Sequence, residues 1–119
     1  MIERYLAALD SGDPIDADDW CAPEFRFSLL WGTDDSGTQI AGDRAAFEQM
    51  LADRVPPPEH LHHILYRSGD DRREICFGRT TQQGEPLATF VFAVELDERG
   101  LMRQLFAART PLVAIGDLP

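Results

Sequence analysis

The chain has 119 residues, 44% of them hydrophobic and 27% charged, with a formal net charge of -10 at pH 7. That length gives one domain spanning residues 1–119, with room for a core and none for a separate cofactor domain, and the acidity argues against nucleic acid or an anionic membrane as partner, because phosphate binding requires clustered cations. No apolar run reaches the roughly 18 residues of a membrane span, and Met1-Ile2-Glu3-Arg4 lacks the basic-then-apolar order of a signal peptide. Cys21 and Cys76 form no CxxC pair and read as reduced, buried thiols, so the expected compartment is the cytoplasm.

In chain order, Ile2, Tyr5, Leu6 and Leu9 recur at helical spacing and predict a short one-sided helix, ended by Ser11-Gly12 and Pro14. A weaker helix is expected from Asp16 to just before Pro23, with Trp20 and Cys21 as its apolar side. Phe25, Phe27, Leu29 and Trp31 then alternate with Arg26, Ser28 and Leu30, which predicts a strand with an aromatic inner face. Gly32 to Gln39 is polar and turn-rich and reads as an exposed loop, with Asp34 and Asp35 solvated. Asp43 can cap a helix whose stripe is Phe47, Met50, Leu51 and Val55, and Pro56-Pro57-Pro58 ends it as a rigid connector.

From His60 to Arg109 four strands follow, separated by Ser68-Gly69-Asp70-Asp71, Gln82-Gln83-Gly84-Glu85 and Asp97-Glu98-Arg99-Gly100. Helices first and a meander after them make the fold class α+β, with each pair of neighbouring strands antiparallel. A curved antiparallel sheet with its helices gathered on one face encloses a cavity, where function is expected to reside. Residues 86–96 are apolar on both faces, with Phe90, Phe92 and Val94 on one and Leu87, Val91 and Ala93 on the other. The last strand is expected to place Leu105 and Ala107 on one face and Met102 and Phe106 on the other. A single helical layer covers one face only, so a second copy packed sheet to sheet is expected, hiding Leu87, Val91, Leu101 or its neighbours, and Leu105.

All three histidines lie in His60-Leu61-His62-His63. His60 and His62 share a strand face, but two imidazoles are an incomplete metal site. The third ligand would have to come from a distant acid such as Asp71 or Glu74, which the spacing does not support, so no metal and no cofactor is expected. Asp10 and Asp13 read as capping and turn residues. Arg26, Arg79 and Arg103 read as partners of surface acids, and any of them pointing into the cavity would suggest a carboxylate ligand.

The run from Arg4 to Asp13 (Arg4-Tyr5-Leu6-Ala7-Ala8-Leu9-Asp10-Ser11-Gly12-Asp13), then Ile40-Ala41-Gly42-Asp43-Arg44-Ala45-Ala46-Phe47, Gly84-Glu85-Pro86 and Leu96-Asp97-Glu98-Arg99-Gly100-Leu101, together resemble the nuclear transport factor 2-like superfamily. Its SnoaL-like and ketosteroid isomerase-like branches are nearest. The resemblance implies a cone-shaped curved antiparallel sheet wrapped around the N-terminal helices, an apolar pocket at one end, and frequent dimerisation through the sheet. In the isomerase pattern Tyr5 matches a helix tyrosine, while the positions of the base and the second acid fall at Leu29 and near Phe92. Neither side chain can carry a proton, which argues against steroid isomerisation by that mechanism. Tyr5, Phe27, Leu29, Trp31, Phe90 and Phe92 would instead form a dry aromatic pocket for a small, flat apolar molecule, or simply fill the cone.

Dehydratase-like members of the superfamily pair a helix tyrosine with a histidine at a comparable place, which here implies Tyr5 with His62, or His63 if the register slips by one; for the acid partner of that pattern only Asp10 and Asp13 lie near the first helix, although capping and turn formation is their commoner role. Two readings stand: a non-catalytic or weakly catalytic SnoaL-like module binding an apolar ligand, and a lyase- or isomerase-like enzyme acting on a polyketide- or steroid-like molecule with a Tyr–His pair.

Overall fold

In the computed structural model, which describes residues 1–33, 36–55 and 58–110, the first apolar stripe forms helix α1 (Ile2–Ser11). Ile2, Tyr5 and Leu6 are buried on its inner side, and Gly12, at φ 76°, ends it by turning its N–H back to the Leu9 carbonyl. The weaker helix expected after Asp16 is only a single 3-10 turn, Ala17–Asp19, capped by the Asp16 carboxylate. Pro23 disfavours helical backbone at the residue before it, so Cys21 already belongs to strand β1 (Cys21–Thr33). Along β1 the expected alternation holds: Phe25, Phe27 and Leu29 are buried, and Arg26 and Leu30 face out.

The segment read as a loop from Gly32 to Gln39 is largely a hairpin, because strand β2 (Ser36–Asp43) pairs antiparallel with β1, Leu29 opposite Ile40. β2 is an edge strand, so polar residues can occupy it without leaving an apolar alternation to be read. Asp34 and Asp35 lie outside the described residues. The Asp43 carboxylate accepts from the Ala46 N–H at 3.0 Å and caps helix α2 (Arg44–Asp53), whose Phe47 is fully buried against Phe25 and Phe27. Val55 is not on the α2 stripe: the backbone turns extended at Arg54, and Val55 is 87% exposed. Of the proline connector, Pro56 and Pro57 lie outside the described residues.

Strands β3 (His60–Gly69), β4 (Arg73–Gln82), β5 (Glu85–Leu96) and β6 (Met102–Thr110) form the expected antiparallel meander. The six-stranded order is β2-β1-β6-β5-β4-β3, and β1 runs parallel to β6, against the expectation that all neighbours are antiparallel. α2 carries the chain from one edge of the sheet to the other, so β6 reaches β1 at the end of the meander rather than through a hairpin, and only a hairpin compels the antiparallel sense.

Both helices pack on the concave face, α1 over β3 and β4 and α2 over β1 and β2. Irregular registers at Ile64/Tyr66, Thr80/Thr81 and Glu95/Leu96 bend the strands around them. The third of these also moves side chains between faces. It brings Met102 into the core and away from exposed Phe106, while Leu105, opposite inward Val94 in the regular ladder, lies in the core and not on the outer face expected for it. Leu87 likewise leaves the outer face and stands at the cavity wall. No helix among the described residues is long and apolar enough to cross a membrane.

Candidate functional site

Between the two helices and the curved sheet lies a cavity of about 690 Å³. Its apolar wall comes from alternate inward positions of the strands, Leu29, Trp31 and Phe92, and from Met50 and Leu51 of α2. Phe27 and Phe90 do not line it: Phe27 stacks on Phe25 and Phe47, and Phe90 presents its ring to His62 from behind the wall, with centroids 5.2 Å apart. Leu29 and Phe92, which stand at the carboxylate positions of the isomerase pattern, both line the cavity.

The polar groups are concentrated at one side. Tyr5 reaches the cavity from α1 with a phenol that is 3% exposed as a residue, and burial pushes its pKa above the usual tyrosine range, so it stays a hydrogen-bond donor. On β3 the alternation sends His60, His62 and Ile64 inward and Leu61 and His63 outward. His63 therefore stands outside the cavity, with its Nε2 2.9 Å from the Thr81 hydroxyl.

His62 is held twice by one carboxylate. Asp10 Oδ2 accepts from the His62 backbone N–H at 2.8 Å, and Asp10 Oδ1 lies 2.6 Å from His62 Nδ1. A carboxylate acceptor fixes the proton on Nδ1 and leaves Nε2 as the basic atom. Burial lowers the His62 pKa, with the Asp10 bond acting in the opposite direction, so the imidazole is neutral at neutral pH and the contact is a hydrogen bond rather than an ion pair. The His60 ring meets His62 edge-on at 5.2 Å, and its Nε2 is buried with no hydrogen-bond partner among the described residues. Burial lowers its pKa too.

Asp10, His60 and His62 bring three metal-ligating atoms within 4.8 Å of one another. Asp71 and Glu74, weighed from the sequence as third ligands, are not in this group. Two imidazoles and a carboxylate could hold a divalent ion, but both Asp10 oxygens are committed to His62, which makes the trio a histidine–aspartate dyad with a second imidazole beside it. Cys21 and Cys76 are buried and inert, their thiols pushed up by burial to about 12 and about 11.

Arg54 and Arg109 are the site residues that the sequence left unmarked, and Asp10 and His60 carry more than the capping role and the incomplete metal pair expected of them. For Asp10 a signal exists: residues 2, 6 and 10 lie on one helical line, so a carboxylate stands where the core stripe calls for a third apolar residue. Arg109 follows Leu105 and Ala107 on the inward positions of β6, which the same alternation test would have flagged. The cavity-facing arginines are thus Arg54 and Arg109, whereas Arg103 pairs with Glu24 and Glu95 on the surface.

No family model matches the sequence, and no curated protein does. Solved structures do share the fold. A candidate isomerase of the SnoaL-like family from Agrobacterium tumefaciens is 16% identical, with 91% of this chain and 92% of that one aligned at a TM-score of 0.66. A candidate ketosteroid isomerase from Kribbella flavida is 14% identical over 99% of this chain and 78% of its own, also at 0.66. A protein of unknown function from Burkholderia xenovorans, described as nuclear transport factor 2-like, is 16% identical over 99% and 84% of the two chains, at 0.65. The open mixed sheet curved around two helices is therefore the nuclear transport factor 2-like fold, in the form that SnoaL-like and ketosteroid isomerase-like proteins share.

Proposed function

We propose that the cone binds a flat, largely apolar small molecule and that His62, oriented by Asp10, acts on it as general base in a lyase- or isomerase-type reaction. The observation that carries this reading is the dyad: a neutral imidazole with one nitrogen anchored to a carboxylate, on the wall of an open cavity. A core histidine that merely packs needs neither the cavity nor the free Nε2. Tyr5, held protonated by burial, is suited to donate to a substrate carbonyl while Nε2 takes the proton from the adjacent carbon. The resulting enolate can take the proton back from Nε2 at another carbon, or expel a β-hydroxyl group as water when that proton goes to the departing oxygen. Fold neighbours described as a candidate isomerase and a candidate polyketide cyclase fit this class of chemistry. The steroid-isomerase arrangement of two acids is not part of the proposal, since Leu29 and Phe92 stand at those positions. The convex face of the sheet is proposed to pair with a second copy of the chain.

The test needs no knowledge of the natural substrate. In deuterium oxide, 1-tetralone exchanges the protons beside its carbonyl for deuterium, which proton NMR follows directly. The protein should accelerate that exchange over buffer, and His62→Gln should lose at least about a hundredfold of the acceleration. Exchange no faster than in buffer, or unchanged in His62→Gln, removes the catalytic role and leaves a binding module.

A further inference from the structure

Arg109 is a charge on the wrong side of the sheet. It follows Leu105 and Ala107 on the inward face of β6, opposite Trp31 of β1 and Phe90 of β5, where every neighbouring inward position is apolar. Its guanidinium lies over the Trp31 ring, 4.7 Å from the centroid, at the wall of the cavity. It is only partly exposed, and burial alone lowers its pKa. No acidic side chain among the described residues pairs with it. A guanidinium drawn partly into an apolar wall is well matched by a carboxylate.

The other charged groups of the cavity do not supply that match. Asp10 is taken by His62, and Asp53 accepts from Gln49. Arg54, the second cavity cation, spends a donor on the Leu9 carbonyl. Arg109 stands opposite Phe90 in the sheet, and the Phe90 ring lies 5.2 Å from that of His62, so the arginine is one residue removed from the dyad. In a chain of net charge -10, a cation inside an apolar cavity with no acidic partner among the described residues is a local reversal of the prevailing field.

We infer that Arg109 is a specificity residue and that the ligand of the cone carries a carboxylate on its flat apolar body. The planar fork of a guanidinium matches a carboxylate with two parallel hydrogen bonds, and Trp31, already stacked on the guanidinium, would continue as the floor for the ring system. Bound this way, the ligand replaces the missing counter-charge and places its apolar body along Leu29 and Phe92, toward the dyad. This inference rests on the reading of the cone as a binding site for a flat apolar molecule and adds the charged group by which that molecule is chosen.

Two probes of nearly the same shape test it, 2-naphthoate and 2-acetylnaphthalene, titrated at neutral pH against the intact chain by calorimetry. The carboxylate should bind roughly tenfold or more tighter than the ketone. Arg109→Gln should bring the ratio of the two affinities to about one, and Arg109→Lys should restore the preference only in part, because an ammonium lacks the fork. Equal affinity of the two probes for the unmodified chain overturns the inference without touching the apolar site, and needs no variant to fold. A preference that survives in Arg109→Gln overturns it as well. If neither probe binds, the reading of the cone as an apolar binding site falls, and this inference with it.

Discussion

The chemistry of the cavity turns on a balance at one side chain. Burial favours the neutral imidazole of His62, the Asp10 contact favours the charged one, and Arg109 and Arg54 add to burial. His60, on the same strand, is pushed the same way by burial first and then by His62. For both groups the folded chain holds its proton less tightly than the unfolded chain does, whose histidines titrate near about 6.5. The stability gained by keeping them neutral is therefore complete above about pH 6.5, and it is lost as the pH falls below that value toward the lower folded one. The thermal midpoint should drop over that interval, and His62→Gln should make the drop shallower. Asp10→Asn gives a sharper result. It removes the group that raises the imidazole pKa and fixes its tautomer, so the acid limb of the tetralone exchange profile should move to lower pH. The maximal rate should fall by roughly a hundredfold or more. An Asp10 that only braced α1 against β3 would lower stability in the variant and leave the position of that limb unchanged.

At the scale of the elements, the curvature that makes a cavity rather than a flat core is set where strands change register. Gly78 of β4 faces Ile64 of β3 beside the irregular register at Tyr66. A Cβ there would press into the His63 backbone carbonyl and come within 2.9 Å of Cζ of Phe90. The carbonyl belongs to the β3 ladder and cannot swing away, so Gly78→Ala should cost about 3 kcal/mol, read as a lower urea midpoint with unchanged slope. It should also disturb the neighbouring His62. Most elements were legible because their signals are local and dense: the stripe of α1, the aromatic alternation of β1, the Asp43 cap, the turns of the meander. β2 was not, since an edge strand of Ser, Gly, Thr and Gln carries no apolar period. The parallel pairing of β1 with β6 was not, because nothing near either strand specifies it. One irregular register, at Glu95/Leu96, was enough to bring Met102 into the core and away from the face of Phe106, whereas Leu105 faces inward simply because it pairs with inward Val94 in the regular ladder. The site divides along the same line. Tyr5 and the inward histidine follow from periodicity, whereas the Asp10–His62 contact joins residues 52 apart in the chain and exists only once α1 lies across β3.

The whole molecule leaves one apolar surface without an explanation inside a single chain. On the convex face Leu30, Ala108, Val91, Phe77 and Tyr66 follow one another across the sheet, and Phe106, Ala93 and Ile75 form the next row. Leu30 is 44% exposed, Ile75 47%, Phe106 49% and Tyr66 61%. This differs in membership from the face expected from sequence, since Leu87 lines the cavity and Leu105 is in the core, but Val91 keeps its place. Contiguous apolar rows on a sheet mark an interface rather than a solvated surface. A standard one takes about 800 Å² per partner, a modest share of the 7341 Å² that the chain exposes. A second copy is the expected occupant, and the net charge of -10 sets the sign of its salt dependence. Two such chains repel each other, so added sodium chloride should tighten association rather than loosen it. Sedimentation equilibrium should find a dimer that strengthens with salt, and Phe106→Asp should give a monomer with an unchanged far-ultraviolet spectrum, since the Phe106 ring is not part of the core. A monomer for the unmodified chain at high micromolar concentration would sink the idea. The cavity opens on the opposite side of the sheet, so Phe106→Asp should bind 2-naphthoate as tightly as the unmodified chain does, which separates loss of the dimer from damage to the cone.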